Sequence, residues 1–445
     1  RLSPGSRASI VRCCGTVPAD MPPLRIAVVA RAAMPMHGFG GLERSVRDLV
    51  CHLAAAGLPV TLIVPPPTVR LDSHNDPYAS PRIDVRHVTY LTFPLANRRG
   101  TTVLDRSTAY LLYGWRAGRR ARRLALDGQV DIVHGFGASL LGAVSRRLPV
   151  PLVLNPQGLE EFGATAERPD RLKLAGYAPL RWAVRRVARR ADRIIATDAV
   201  LEPTVARHLK PRPGQLVTVP NGIDLVELTA MAGAADGRLM RQRHRIGPHE
   251  LVWLSVGRLE YNKGFDVLAE AVGRAVRSGR LGNTSWRWVI VGSGPWRREI
   301  ERAVDRHGIA PHTLFAGHVS DRDLHAWYQA ASVFVHPTRY EGSSLVTLEA
   351  MGHRRPVVAT RAGGLPDKVR PGLNGWLVPP DDPEALAGAL IDTAEAGARL
   401  AEMGERSREI VEREFAWTVI VRRQIEVYEE LIRARASTGA APRNT

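Results

Sequence analysis

Along two stretches of this chain, short runs of β-branched and other apolar residues alternate with helical patterns. In the first stretch Arg25 to Ala30 (RIAVVA), Val60 to Val64, Ile132 to His134, Leu152 to Leu154 and Arg193 to Thr197 (RIIAT) predict strands. In the second, strands are expected at Leu251 to Val256, Trp288 to Val291, Thr313 to Ala316, Val333 to His336, Pro356 to Thr360 and Gly375 to Val378. Near-continuous apolar runs separated by helices are the pattern of parallel sheets covered on both faces. The fold class is therefore α/β, with two doubly wound units joined near residues 218 to 245, around Val219-Pro220-Asn221-Gly222. Asp382 suits a helix cap, Pro383 a first helical position and Glu384 the helix dipole. A last long helical pattern, roughly Leu400 to Ile432, runs into a polar, Ala/Pro-containing tail that is expected to be disordered.

Composition agrees with two domains of ordinary size, since 445 residues with 44% hydrophobic and 24% charged content can bury two cores. Three cysteines, Cys13, Cys14 and Cys51, form no paired framework or metal spacing, which makes a reducing cytoplasm the expected compartment. Residues 1–20 have no continuous apolar run, so they read as a disordered extension rather than a signal peptide or anchor, with Met21 standing just before the first strand. Residues 49–69 carry no formal charge, but Gly57, Pro59 and Pro65 to Pro67 break them, so no membrane span is expected.

A formal charge of +18 favours polyanionic or phosphate-bearing partners. It is concentrated at Arg116, Arg119, Arg120, Arg122 and Arg123, and again at Arg181, Arg185, Arg186, Arg189, Arg190 and Arg193. In the second cluster Leu180, Val184, Val187 and Ala191 recur at helical spacing. Two readings are open: a solvated helix face over a domain core, or a peripheral face for an anionic membrane. No aromatic-basic module or zinc spacing is present, so nucleic acid is not an expected partner.

Candidate chemistry gathers where predicted strands end. Tyr340-Glu341-Gly342-Ser343-Ser344-Leu345 follows a buried strand and opens a helix that carries Glu349, so amides of Gly342, Ser343 and Ser344 are expected to face an anionic oxygen. Glu341 and Glu349 are eight residues apart, about 12 Å along a helix, which suits two ends of an extended ligand better than the two sides of one bond. Gly257-Arg258-Leu259-Glu260-Tyr261-Asn262-Lys263-Gly264 sits at the carboxyl end of another strand, where Arg258 and Lys263 can neutralise a diphosphate. Gly40-Gly41 and Gly363-Gly364 allow close backbone approach at two further turns, Gly364 towards a sugar. Neither the first glycine loop nor Gly292-Ser293-Gly294 completes a dinucleotide fingerprint. Asp321-Arg322-Asp323 reads as a helix start rather than a metal site, and no His spacing suggests a metal, so neither metal nor cofactor is expected.

Together these residues resemble the retaining glycosyltransferases of family 4, of GT-B fold with two Rossmann-like domains facing across a cleft. The resemblance runs from Leu24 to about Ile432 and rests on Glu341 and Glu349, Gly257-Arg258 with Lys263-Gly264, Gly40-Gly41 and the junction Val219 to Asp224. It implies an acceptor domain at 21–220, a donor-nucleotide domain at 221–412, a helix at 413–434 crossing back near Phe415-Ala416-Trp417, and a disordered tail at 435–445. It further implies that Arg258 and Lys263 bind the donor diphosphate, Glu341 the transferred sugar and Glu349 the ribose. Gly317 to Val319 would meet the base, and Gly40, Gly41, Gly257, Gly342, Ser343, Ser344 and Leu345 would contribute donor contacts. Where the family often has a histidine facing the sugar, this chain has Gln157, which donates a hydrogen bond but carries no proton. The expected activity is transfer of a hexose from a nucleotide sugar to an acceptor hydroxyl with retention, in cell-surface glycan or glycolipid synthesis. The alternatives are a sugar-nucleotide epimerase on the same architecture and, behind it, a basic nucleic-acid-binding protein.

Overall fold

The computed structural model describes residues 23–38, 40–69, 76–90, 102–157, 159–163 and 171–437. The expected N-terminal extension and the last residues of the expected tail lie outside them, as do parts of the variable loops of the first domain.

Among the described residues thirteen strands form two wholly parallel sheets. The first comprises β1 (Ile26–Val29), β2 (Val60–Val64), β3 (Ile83–His87), β4 (Ile132–Phe136), β5 (Leu152–Asn155), β6 (Arg193–Ala196) and β7 (Leu216–Thr218), in the order β3-β2-β1-β4-β5-β6-β7. The second comprises β8 (Leu251–Val256), β9 (Trp286–Val291), β10 (Thr313–Gly317), β11 (Val333–His336), β12 (Val357–Thr360) and β13 (Gly375–Val378), in the order β10-β9-β8-β11-β12-β13.

The strand interiors are buried on both faces because successive side chains enter opposite cores. In β1, Ala27 and Val29 join one apolar cluster while Ile26 and Val28 join the other. In β8, Val252, Leu254 and Val256 face one cluster and Leu251 and Trp253 the other. Two strands escaped the sequence reading, β3 and β7. Both are edge strands, only partly buried: β3 (IDVRH) carries charged alternates and β7 (LVT) is only three residues long, so neither offers an apolar run to read.

Strand order reverses between β1 and β4 in the first sheet and between β8 and β11 in the second. Ligand crevices in doubly wound sheets form outside the carboxyl ends of the strands at such points. The loops after these four strands are accordingly where the candidate residues must be judged.

The long terminal pattern is not one helix. A helix at Arg399–Ile410 passes through a wide π-type turn at Val411–Phe415, breaks at Ala416 and resumes at Trp417–Ser437. The break exists because Ala416 is drawn into a parallel bridge with Ile223: Ile223 N–H donates to the Phe415 carbonyl at 2.8 Å and Trp417 N–H to the Ile223 carbonyl at 3.1 Å. Arg435 to Ser437, expected in the tail, are helical, and Arg435 reaches Asp192 at 3.3 Å.

This last helix completes the core of the first sheet, not the second: Trp417, Ile420, Tyr428 and Leu431 cluster with Ile26, Val28, Val46 and Leu49. Tyr428 and His134 share a 2.6 Å hydrogen bond in that core. Trp417 stacks on His52 with centroids 5.0 Å apart and donates Nε1–H to Asp48 at 3.2 Å. Trp417→Ala is therefore expected to cost about 3–5 kcal/mol through the cavity it leaves. The check is the thermal or denaturant midpoint, with Trp417→Phe expected to retain a large part of the loss.

Candidate functional site

A cavity of about 260 Å³ opens between the two sheets at their switch points. From the first sheet it is lined by Arg31 after β1, Phe136 and Gly137 at the end of β4, and Pro156 and Gln157 after β5. From the second sheet Tyr340 and Gly342, after β11, close it. Gln157 holds a left-handed backbone (φ 59°) that few non-glycine residues adopt. Asn155 pins it there: its Oδ1 accepts from the Gln157 backbone N–H at 3.1 Å and from Nε2 at 3.0 Å.

Glu341, between Tyr340 and Gly342, is the chemical centre of the second wall. Its Oε2 accepts from Lys263 Nζ at 2.7 Å and from His336 Nε2 at 2.7 Å. Burial alone would raise this carboxyl, but the Lys263 ammonium and the His336 hydrogen bond outweigh it and hold the group well below the ordinary carboxylate range. His336 ends β11 wholly buried, and burial lowers its own pKa. The neutral ring then carries its proton on Nε2, towards Glu341, leaving Nδ1 without a hydrogen-bond partner among the described residues. Lys263 is ordered by the turn before the helix Phe265–Arg277. Gly264 there takes φ 65°, and a side chain at that position would sit 2.1 Å from the Pro337 carbonyl. Of its three N–H groups Lys263 gives one to Glu341, so an anion can be bound without breaking that contact.

The helix after Glu341 starts later than expected, at Leu345, with Ser344 as its N-cap. The Ser344 hydroxyl is buried and accepts from the Thr347 amide at 3.4 Å, so this side chain caps the helix. Gly342, Ser343 and Ser344 precede the helix, and the free helix-start amides belong to Leu345 and Val346. Because Glu341 lies outside the helix, the helical rise does not set its separation from Glu349, and the 12 Å spacing does not apply. The first turn carries no acidic residue to oppose an anion there. Ser343 Oγ is buried beside the Asp198 carboxylate.

Other expected residues stand elsewhere. Arg258 is 78% exposed and pairs with Glu260 at 2.8 Å. Glu349 is buried and already engaged: Arg44, from the helix Gly41–Ala55 of the other sheet, pairs with Oε1, and the Tyr328 hydroxyl donates to Oε2 at 2.8 Å. At Gly364 a side chain would meet the Asp198 carboxylate at 2.2 Å, so its bareness serves the contact between the sheets. Gly40 caps the helix Gly41–Ala55, where Gly41 adjoins open space and Leu42 reaches the cavity. Gly257 follows β8 with its amide bonded to the Val291 carbonyl at 3.0 Å. Val319 is half-buried against the second core. Asp321 and Asp323 occupy the first turn of the helix Asp321–Ala330, where Ser320 is the cap and donates to Asp323 at 2.8 Å. Among the described residues no group of three or more His, Cys, Asp or Glu is placed to hold a metal ion, and no helix is long and apolar enough to cross a membrane.

Residues 39–227 match the family described as Glycosyltransferase Family 4, and residues 250–396 the one described as Glycosyl transferases group 1. This chain is a family 4 glycosyltransferase. A D-inositol 3-phosphate glycosyltransferase of Streptomyces scabiei is 29% identical over 429 residues, covering 91% of both chains. Among solved structures, sucrose-phosphate synthase from Thermosynechococcus elongatus superposes with a TM-score of 0.68 at 24% identity, over 92% of this chain and 100% of that one. Anabaena HepE in complex with UDP-glucose superposes at 0.65 and 19% identity, over 92% of this chain and 100% of that one. Both share the GT-B architecture of two parallel-sheet domains.

The sequence reading of this glycosyltransferase missed His336, Arg44, Asp198 and Lys368. The first left a trace, an ionisable residue ending an otherwise apolar strand five positions before Glu341. The others pair across the two sheets, and no local spacing announces such a contact.

Glu341 provides a titration test. Its carboxyl titrates below the ordinary value of 4.5, so its contribution to stability is complete above that pH and vanishes as acid carries the pH down through the lower folded value. Lys263→Met removes the strongest opposing charge; the Glu341 midpoint is expected to rise and part of the neutral-pH stability to disappear. Carbon NMR of labelled glutamate side chains across a pH series checks this, and an unmoved midpoint contradicts it.

Proposed function

We propose that this glycosyltransferase moves a hexosyl group from a nucleotide-diphosphate donor to an acceptor hydroxyl with retention, in the synthesis of a cell-surface glycan or glycolipid at the inner face of the membrane. The observation that carries the reading is the ionised Glu341, buried against Lys263 and His336 between Tyr340 and Gly342, two residues that line a cavity with Gln157 of the opposite sheet. In this reading residues 21–220 hold the acceptor and residues 221–412 the donor.

Glu341 orients the transferred sugar through its hydroxyls. Lys263, Arg258 and the amides at the start of the helix Leu345–Gly352 take the charge that grows on the departing diphosphate. Arg258 reaches it by exchanging Glu260 for phosphate. The acceptor hydroxyl attacks the anomeric carbon from the side on which the diphosphate leaves; the carbon–oxygen bond to the diphosphate breaks with its electron pair, and the hydroxyl proton passes to the leaving oxygen. Gln157 positions the sugar by hydrogen bonding, and no protein nucleophile, metal or cofactor is required in this scheme. Uridine diphosphate sugars are the first donors to test, because HepE is solved with UDP-glucose. Phosphorylated polyols are the first acceptors, because the Streptomyces scabiei relative is named for D-inositol 3-phosphate.

Glu341→Ala and Lys263→Ala are expected to lower kcat at least about 100-fold while circular dichroism shows the fold retained. Wild-type turnover in either variant contradicts the assignment. Proton NMR of the product is expected to show the anomeric configuration of the donor. Conversion of the donor alone, without acceptor, would instead reveal an epimerase.

A further inference from the structure

We infer that the outer face of one helical layer of the first domain is a docking surface for an anionic lipid bilayer. The layer contains the helices Ala109–Leu126 and Ala178–Arg190. Tyr113, Ala117 and Ala121 of the first, and Leu180, Val184 and Val187 of the second, enter the same core cluster with Ala27, Leu154 and Ile194 of the sheet. Both helices therefore cover one face of the sheet, with the short turns Gly137–Leu140 and Ala143–Ser145 between them, and both turn their opposite stripes outward in the same direction.

The outward stripes repeat one arrangement. On the first helix Trp115 is 44% exposed with the Arg119 guanidinium 4.7 Å above its ring; on the second Trp182 is 57% exposed with Arg186 at 5.7 Å. Leu112 and Leu126 are exposed on the same side of the first helix. Neither helix contains an acidic residue. Among the described residues Arg119, Arg120, Arg123, Arg186, Arg189 and Arg190 have no carboxylate partner, whereas elsewhere on the surface Arg274, Arg297 and Arg354 each pair with a glutamate.

Uncompensated arginine beside exposed tryptophan and leucine has two needs, phosphate for the guanidinium and an apolar layer for the rings. A bilayer interface meets both at one depth, with tryptophan at the headgroup level and arginine on anionic phosphates. A nucleic-acid duplex would take the arginines and leave Leu112 and Leu126 in water. The helix Ala178–Arg190 also lines the acceptor-side cavity with Leu180 and Val184 on its inner face. Docking would thus hold that cavity one helix away from the lipid. The inference extends the proposed function by making the acceptor membrane-borne, but the surface itself stands independently of transfer chemistry.

The test uses the full chain with vesicles of phosphatidylcholine alone and of phosphatidylcholine with about one-third phosphatidylglycerol. Cosedimentation is expected with the anionic vesicles and not with the neutral ones. Trp115→Ala with Trp182→Ala is expected to lower partitioning on the order of tenfold. Arg186→Gln, Arg189→Gln and Arg190→Gln together are expected to lower it about fivefold per residue removed. Melting curves confirm that the variants are folded. Retention of the thermal shift produced by a nucleotide sugar separates failure of docking from failure of the glycosyltransferase reading. Absence of binding, equal binding to neutral vesicles, binding unchanged in both variants, or a stronger salt-sensitive affinity for duplex DNA lost with the same arginines would each overturn the inference.

Discussion

Charge buried between the two sheets is the constraint on which the site geometry rests. Lys368, after β12, and Asp198, after β6, are both without exposure and pair directly, while Lys368 also donates to the Gly364 carbonyl at 3.1 Å. Removing two ions from water is costly, and only close mutual contact offsets it. The two sheets can therefore not slide at this seam without leaving an uncompensated charge. Arg44 with Glu349, and Arg47 with Glu227 at 2.8 Å, extend the same seam along the helix Gly41–Ala55. The distance of Gln157 from Tyr340 and Gly342, and hence the shape of the cavity, is inherited from these pairs.

This arrangement sets two carboxylates in the same segment to different work. Glu341 is restrained from its own domain, by Lys263 and His336, so its state depends little on how the sheets meet. Glu349 is restrained from the other domain by Arg44. In the proposed reading, a ribose at Glu349 would compete with the Arg44 guanidinium for the same carboxylate.

The fold was legible wherever burial on both faces forces an apolar run. The eleven strands expected from the sequence are all present, and the two that were missed are half-buried edge strands, β3 with charged alternates and β7 only three residues long. The candidate residues were readable as positions at strand ends, and the structure brings Lys263 to Glu341 and Gln157 and Gly342 to one cavity. Their tasks were harder to read. Ser344 serves as a cap and Gly364 lies against Asp198, tasks that ask for the same small residues as a ligand contact does. The cross-sheet partners Arg44, Asp198 and Lys368 were invisible for a simpler reason, since pairing over more than a hundred positions leaves no local period.

The crossing helix has a consequence for the life of the chain as it is made. Trp417, Ile420 and Tyr428 emerge from the ribosome after both sheets, yet they fill the core beneath the sheet that was synthesised first. Until then Ile26, Val28 and Leu49 lack their cover. The earlier half must therefore wait, incomplete, while the later half can close on itself, and translation order and maturation order run opposite to one another.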